Sequence, residues 1–211
     1  MRVTDPSVAD EPLRERKRKE SRAEFVRVAE RLFVSQGYEA TTVEQICDEA
    51  NRSVPTFYAY FNSKEEVALT AGADNVKRLR DLIENPERET DTTTLWRAFV
   101  EEAALFAMNS PQKLEMLHLI ESEPALVRIG LSLLQQQESI LAAGLAADRG
   151  TDPAQDLSVQ LLATLLSFGN YTVYRHWLLN GASGDLLSDT RAVVDLACER
   201  FSDVVSSKPR T

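Results

Sequence analysis

Residues 41–64 read TTVEQICDEANRSVPTFYAYFNSK and contain two short helical patterns that meet at a tight polar break, residues 50–53. At this break Asn51 is best suited to a left-handed backbone, because asparagine tolerates that conformation better than other non-glycine residues. The second pattern is too short and too aromatic for an ordinary core helix, and Phe57 with Phe61 can pack inward on a preceding helix. A steep helix pair over a short turn predicts a helix-turn-helix presented to a DNA groove.

Hydroxyl residues mark where the helices of this segment begin. Thr41 or Thr42 can cap the first helix, with Glu44 or Gln45 as the partner in a capping box. Ser53 can cap the second helix, whose first turn tolerates a proline. The side chains left toward the groove are then Val54, Pro55, Thr56, Tyr58 and Ala59.

The whole chain reads as helix, because no segment shows convincing strand alternation and the turn signals fall between helical patterns. We predict an all-α fold of about nine helices. Residues 1–12 are predicted to be a disordered tail, 13–62 a three-helix DNA-binding domain with a basic N-terminal arm, and 63–211 a helical regulatory and dimerisation bundle. Outside 41–62, the predicted helices span roughly 16–36, 63–84, 94–109, 112–122, 125–148, 152–180 and 189–206.

The formal net charge of −9 is unusual for a DNA-binding protein, but the distribution of charge matters more than the sum. Between positions 13 and 22 six basic residues stand against two acidic ones, so the remaining chain is strongly acidic. An acidic body with one basic arm would dock on a polyanion in one orientation only. The six basic residues are Arg14, Arg16, Lys17, Arg18, Lys19 and Arg22.

Two further features concern the location of the protein. No apolar run reaches the roughly 18 residues that a membrane helix needs, and the N-terminal residues lack the apolar core of a secretory signal. The two cysteines, Cys47 and Cys198, are expected to be reduced thiols. We therefore expect a cytoplasmic protein with no membrane partner, no cofactor and no metal.

Residues 20–67 resemble the DNA-binding domain of the TetR (tetracycline-repressor) family at many positions of fixed spacing. The matching residues are Gly37-Tyr38, Thr41-Thr42-Val43, Ile46, Ala50, Ser53, Thr56-Phe57-Tyr58, Tyr60-Phe61 and Ser63-Lys64-Glu65. As a family these proteins are homodimeric transcriptional regulators, mostly repressors, with a variable C-terminal bundle that holds the dimer interface and a small-molecule pocket. The turn departs from the family pattern, which usually has glycine at Asn51 and an apolar residue at Arg52.

The resemblance implies roles for the residues of the DNA-binding unit. Hydroxyl groups and one lysine are expected to contact backbone phosphates, and the start of the second helix is expected to lie nearest the base edges. Arg52 either adds a base or phosphate contact or points into solvent. The predicted phosphate contacts are Thr42, Thr56, Tyr58 and Lys64, the predicted base-edge residues are Ser53, Val54 and Pro55, and the predicted contacts of the basic arm are Arg14, Arg18 and Arg22.

The predicted C-terminal bundle contains two long helices, 152–180 and 189–206, and the first is apolar on more than one face. The resemblance implies that these two helices form the homodimer interface. A cavity inside the bundle is expected to hold a small-molecule effector, lined mainly by aromatic residues. The candidate ligand-binding residues are Trp96, Phe99, Glu102, Phe106, Met116, His118, Phe168, Asn170, Tyr171, Tyr174, Arg175 and Trp177.

The sequence thus predicts a ligand-responsive DNA-binding regulator and not an enzyme, most simply a repressor that leaves a palindromic operator when an effector shifts the connecting helix at 63–84. A transcriptional activator of the same fold is an alternative, since both use the same DNA-reading unit. Glu115 and His118 have the spacing of a metal-carboxylate enzyme, but Val173 stands three residues before His176, so the second motif is missing. A helical adaptor would leave the basic arm unexplained.

Overall fold

The computed structural model describes residues 13–205, without the side chains at positions 13, 14, 111 and 112. Within this range the chain forms eleven helices and no strand, which confirms the all-α prediction with two helices more than expected. The predicted disordered tail at 1–12 and the predicted helix end at Ser206 lie outside the described residues. The chain divides into two compact units after Thr70. The sequence placed the end of the DNA-binding domain earlier, after Asn62, and this functional boundary stays a prediction.

The first unit contains four helices. They are α1 (Leu13–Gln36), α2 (Val43–Glu49), α3 (Val54–Tyr58) and α4 (Lys64–Ala68). Helix α1 begins earlier than predicted, so the segment that carries the basic residues is helical from position 13. It ends where Gly37 adopts a φ of +94°, a conformation that glycine reaches without steric cost.

Aromatic packing forms the core of the first unit. Phe57 of α3 meets Phe25 of α1 edge-on, with 5.4 Å between ring centroids, and Phe61 lies 5.5 Å from Phe57 and 6.3 Å from Phe25. All three rings are fully buried. This confirms that Phe57 and Phe61 pack inward on the first helix, and it leaves the rest of α3 free for another surface.

The second unit begins at Ala71, one residue into α5 (Thr70–Ile83). Its other helices are α6 (Thr92–Met108), α7 (Pro111–Ser122), α8 (Pro124–Arg149), α9 (Leu157–Leu179), α10 (Leu186–Arg200) and α11 (Ser202–Val205). Helices α5, α6, α8, α9 and α10 bury one shared apolar core, which includes Leu79, Trp96, Leu141, Leu162 and Val194. A second, smaller core joins the C-terminal part of α6 to α9 and α10 around Trp177, Leu178 and Leu186.

Two predicted helices are wrong because each is divided. The predicted helix at 63–84 breaks at Leu69, where ψ is 13°, and the Thr70 hydroxyl donates to the Glu66 carbonyl at 3.1 Å. Such a bond from a hydroxyl to the preceding turn bends helices. The predicted final helix breaks at Phe201, where ψ is 38°, which separates α10 from α11.

Two helix starts in the second unit also differ from the prediction, and in both cases an aspartate determines the start. Asp156 accepts a hydrogen bond from the Val159 N–H at 3.2 Å, so α9 begins at Leu157 rather than near Asp152. Asp185 accepts from the Ser188 N–H at 3.0 Å, so α10 begins before the predicted position 189. A side-chain acceptor at the N-cap satisfies a backbone donor that would otherwise lack a partner.

Helix α8 has two glycines in different surroundings. A Cβ atom added to Gly144 would lie 2.5 Å from Cγ2 of Ile83 and 2.7 Å from Oγ1 of Thr92. A Cβ added to Gly130 would meet no heavy atom within 4 Å. Only the first glycine is therefore required for close packing.

We predict that Gly144→Ala lowers the free energy of unfolding by about 1–3 kcal/mol, because the methyl group overpacks the core. Gly130→Ala is the matched control in the same helix, and alanine should stabilise it by up to about 1 kcal/mol through helix propensity. Urea unfolding of the full chain, followed by circular dichroism, measures both changes. Equal effects at the two positions would contradict the packing argument.

Candidate DNA interface

The turn between α2 and α3 has the geometry that the sequence predicts. Asn51 has a φ of +52°, which confirms the expected left-handed conformation. Its N–H donates to the Asp48 carbonyl at 3.1 Å, and the Arg52 N–H donates to the Cys47 carbonyl at 2.9 Å. These bonds satisfy carbonyls at the end of α2 and turn the chain within two residues.

The cap of α2 is Thr42, not Thr41. The Thr42 hydroxyl accepts from the Gln45 N–H at 3.2 Å, and the Gln45 side chain accepts from the Thr42 N–H at 2.9 Å, which completes a capping box. Thr41 is buried instead, and its hydroxyl donates to the Gly37 carbonyl at 2.8 Å. The exposed Thr42 hydroxyl keeps its own proton available for an acceptor outside the chain.

Helix α3 begins at a second hydroxyl cap. The Ser53 oxygen accepts from the Thr56 N–H at 3.3 Å and lies 2.8 Å from the Thr56 hydroxyl. Ser53, Pro55 and Tyr58 are exposed, with 55% of Tyr58 accessible, whereas Val54 and Thr56 are half-buried. The surface of α3 opposite Phe57 therefore combines hydroxyl groups with small apolar groups.

Arg52 is the long hydrogen-bond donor next to this surface. Arg52 is exposed. Its guanidinium makes a long hydrogen bond of 3.4 Å to the Asn51 carbonyl, so most of its N–H donors remain available. The pKa of Glu24 is lowered mainly by the hydrogen bond from Arg27 and in smaller part by Arg52. Arg52 thus lies within electrostatic range of α1.

Lys64 is half-buried, although its predicted role as a phosphate contact does not require burial. Its ammonium donates to the Tyr38 carbonyl at 2.9 Å and to the Thr41 carbonyl at 3.3 Å, and it lies 4.2 Å from the centroid of the Tyr38 ring. The Tyr38 hydroxyl donates to Glu65 at 2.7 Å. The sequence did not predict this cluster, and the aromatic residue directly after Gly37 is the one local signal for it.

The basic start of α1 is mainly exposed. Arg18 is solvent-accessible, and Arg16 makes a long 3.8 Å ion pair with Glu20. The Arg22 guanidinium lies 5.5 Å from the Phe61 ring centroid, which ties this residue to the aromatic core. The side chain of Arg14 lies outside the described residues.

The predicted ligand-binding residues of the second unit occupy different surroundings. Trp96 and Phe99 stack at 5.7 Å within the main core, and Trp177 lies in the smaller core, 6.4 Å from Tyr174. Met116 is also buried, and Phe168 is half-buried. The predicted side chains of Glu102, Phe106 and His118 are exposed, and Glu102 pairs with Arg78 at 2.6 Å.

Helix α9 carries buried polar groups without partners. The amide nitrogen of Asn170 donates to the Leu166 carbonyl at 2.8 Å, but its Oδ1 atom has no hydrogen-bond partner. The Ser167 hydroxyl, in the preceding turn, is likewise buried and unpaired. Most buried polar atoms in proteins have hydrogen-bond partners, so these two atoms are exceptions.

A carboxylate of α7 joins two other predicted residues. Glu121 accepts from the Tyr171 hydroxyl at 3.0 Å and from the Arg175 guanidinium at 3.0 Å, and its side chain is only 8% exposed. Burial and the negative charge of Glu121 raise the pKa of Tyr171 to about 12. Sequence reasoning missed Glu121, because nothing in the chain pattern links residues so far apart.

Other features restrict the possible chemistry of the described residues. No three His, Cys, Asp or Glu side chains among them are placed to hold a metal ion together. Cys47 and Cys198 are free thiols, and burial raises the pKa of each. No helix between positions 13 and 205 combines the length and apolarity that crossing a bilayer demands.

Comparison with known protein families identifies both units. The family model for bacterial regulatory proteins of the tetR family matches residues 25–71, and the model for the MftR C-terminal domain matches residues 92–202. The HTH-type transcriptional regulator TcmR of Streptomyces glaucescens is 32% identical over 202 residues, which cover 90% of this chain and 89% of TcmR.

Solved structures share the fold at lower identity. The complex of SmeT, a Stenotrophomonas maltophilia repressor, with triclosan has a TM-score of 0.64 at 16% identity, covering 86% of this chain and 91% of SmeT. FadR of Thermus thermophilus in complex with lauroyl-CoA has a TM-score of 0.60 at 22% identity, covering 84% and 93% of the two chains. The matched family models and the similarity to TcmR establish that this chain belongs to the tetR family of bacterial regulatory proteins and is a DNA-binding transcriptional regulator.

Proposed function

We propose that this protein is a homodimeric repressor that leaves a palindromic operator when a small molecule binds within its second unit. The observation that carries the proposal is the exposed surface of the helix-turn-helix, where the hydroxyls of Thr42, Ser53 and Tyr58 lie on rigidly capped helices. Hydroxyl groups of this kind donate to phosphate oxygens and determine the register of a protein on DNA. A repressor dissociates from its operator once these phosphate contacts are weakened.

The base-reading surface is poor in long donors. Val54 and Pro55 can contact thymine methyl groups but cannot make the paired hydrogen bonds that recognise guanine. Arg52 is exposed beside them and is the long side chain there that can make such a pair. Specificity is therefore expected to combine methyl contacts, DNA shape and Arg52.

The exposed basic start of α1 supplies much of the remaining affinity. Positions 16–19 carry four consecutive basic side chains, all of them exposed. Contacts of basic residues with phosphates release counterions, so they strengthen binding at low salt regardless of sequence. In an otherwise acidic chain, this segment also directs the DNA to one end of the first unit.

Regulators of this family act as dimers, and α9 with α10 offers the surface for the second copy. Leu157 and Leu161 of α9 are 65% and 49% exposed, and Leu196 of α10 is 52% exposed. The two helices pack closely, since a Cβ on Gly169 would lie 2.9 Å from Cγ1 of Val193. Their outward leucines thus belong to one continuous helical layer, which a second copy of the chain can cover.

The effector is proposed to bind among α6, α7 and α9. Asn170 and Ser167 present unpaired polar atoms in an otherwise apolar interior, so they suit a mostly apolar molecule that carries a hydroxyl or N–H group. SmeT in complex with triclosan and FadR in complex with lauroyl-CoA are solved structures of proteins with the same fold.

We predict that the full chain binds a duplex selected from a random-sequence pool with an affinity that falls steeply as salt rises. Arg52→Ala should lower that affinity by about 1–3 kcal/mol at one base position if Arg52 reads a base. Fluorescence anisotropy across single-base variants of the duplex measures the effect. Equal loss on every variant would instead make Arg52 a phosphate contact, and wild-type binding without salt dependence would contradict the proposal.

We predict that Leu161→Arg and Leu196→Arg raise the dimer dissociation constant by about 100-fold or more, because each buries an unpaired charge in the interface. Leu131→Arg on α8, an exposed leucine outside the proposed interface, should leave the dimer intact. Analytical ultracentrifugation measures the three variants. A monomeric Leu131→Arg chain, or dimeric Leu161→Arg and Leu196→Arg chains, would place the interface elsewhere.

We predict that compounds that raise the melting temperature of the full chain in a metabolite screen also weaken operator binding. Stabilisation follows from binding to the folded state alone, and weakened DNA binding follows from coupling between the two sites. Asn170→Leu should reduce the thermal shift of such compounds by removing the unpaired acceptor. The repressor mechanism fails if none of the stabilising compounds changes operator affinity.

A further inference from the structure

The turn between α1 and α2 has few internal bonds of its own. The Thr41 N–H donates to the Tyr38 carbonyl at 3.2 Å, and the Thr41 hydroxyl donates to the Gly37 carbonyl at 2.8 Å. The side chain of Gln36 adds a bond to the Thr41 hydroxyl at 3.1 Å. Further polar contacts of this turn come from α4.

The Lys64 ammonium is the main link from α4 to this turn. It donates to the carbonyls of Tyr38 and Thr41, and it lies over the Tyr38 ring at 4.2 Å. Two of its three N–H donors are therefore directed at the turn. The neighbouring Glu65 completes the link, because it accepts from the buried Tyr38 hydroxyl at 2.7 Å.

The negative charge of Glu65 is stabilised in this position. Burial raises the pKa of its carboxyl, but hydrogen bonds from Tyr38 and Ser63 outweigh burial, so the net pKa lies below the ordinary value. The carboxylate thus remains ionised at neutral pH beside the Lys64 ammonium. The cluster of Tyr38, Thr41, Lys64 and Glu65 ties α4 to the turn by both backbone and side-chain bonds.

The residue directly after this turn is Thr42, which caps α2 and is the proposed phosphate contact. We propose that Lys64 is a positioning residue of the DNA interface: its ammonium holds the turn at residues 38–41 and thereby places Thr42 for its phosphate. The bonds from Lys64 to the turn exist without DNA. The effect of these bonds on DNA binding rests on the proposed function. In this role Lys64 acts through Thr42.

Replacement by arginine separates the two roles. A guanidinium binds phosphate at least as well as an ammonium, so a phosphate ligand tolerates Lys64→Arg. The Lys64 site holds a compact ammonium between two carbonyls and over the Tyr38 ring, so we expect a longer, planar guanidinium to lose at least one of these bonds. Lys64→Met removes the charge altogether, and Lys77→Met is the control, because Lys77 is an exposed lysine of the second unit.

The first experiment uses the full chain without DNA. Hydrogen exchange at the amides of residues 38–42 should become at least about tenfold faster in Lys64→Met and Lys64→Arg, and remain at the wild-type rate in Lys77→Met. Protection in α1 reports whether each variant stays folded, and Lys64→Arg decides the result if Lys64→Met unfolds. Unchanged exchange at residues 38–42 in folded variants would overturn the proposal.

The second experiment measures affinity for the selected duplex across a range of salt concentrations. Both Lys64 variants should bind about tenfold more weakly with an unchanged salt slope, and in a Thr42→Val background Lys64→Met should have little further effect. A salt slope reduced by about 0.9 in Lys64→Met, or wild-type affinity in Lys64→Arg, would identify a direct phosphate contact and overturn the proposal. Failure of the wild-type chain to bind any selected duplex would count against the proposed function alone, since the exchange experiment needs no DNA.

Discussion

The edge-on contact between Phe57 and Phe25 is the interaction on which the DNA-reading surface depends. Helix α3 has five residues, and a helix of that length does not persist in water, because nucleation costs more than a single turn returns. Burial of Phe57 against α1, together with the Ser53 cap, supplies what the short helix lacks. The same packing directs Ser53, Pro55 and Tyr58 outward, so stability and the proposed DNA recognition use opposite faces of one turn of helix.

Some charged residues of the first unit pair within the protein, and others are exposed on its surface. Arg27 pairs with Glu24 at 2.6 Å, Arg31 pairs with Glu49 at 2.7 Å, and Lys64 bonds to backbone carbonyls. The basic side chains at positions 16–19 are exposed. A chain with a net charge of −9 can therefore still offer DNA a locally positive surface.

Much of the fold could be predicted because its signals are local. Ser53 and Asn51 each satisfy or redirect backbone groups within a few residues, so their roles follow from spacing alone, whereas spacing left Thr41 and Thr42 as alternatives for the cap of α2. The divisions of the predicted helices at Leu69 and Phe201 could not be predicted in the same way. Both positions are apolar residues in helical patterns, so hydrophobic periodicity does not reveal their non-helical backbone angles.

The same distinction applies to the sites. By itself, the sequence determined the helix-turn-helix, the Ser53 cap, its inward aromatic residues and the basic segment, because each of these depends on neighbours along one or two turns of chain. Only the tertiary structure decided that Lys64 turns inward to the Tyr38 and Thr41 carbonyls, and that Glu121 joins Tyr171 and Arg175. A charged side chain takes the partners that folding brings within hydrogen-bond distance, and those partners lie 23 to 54 positions away in the chain.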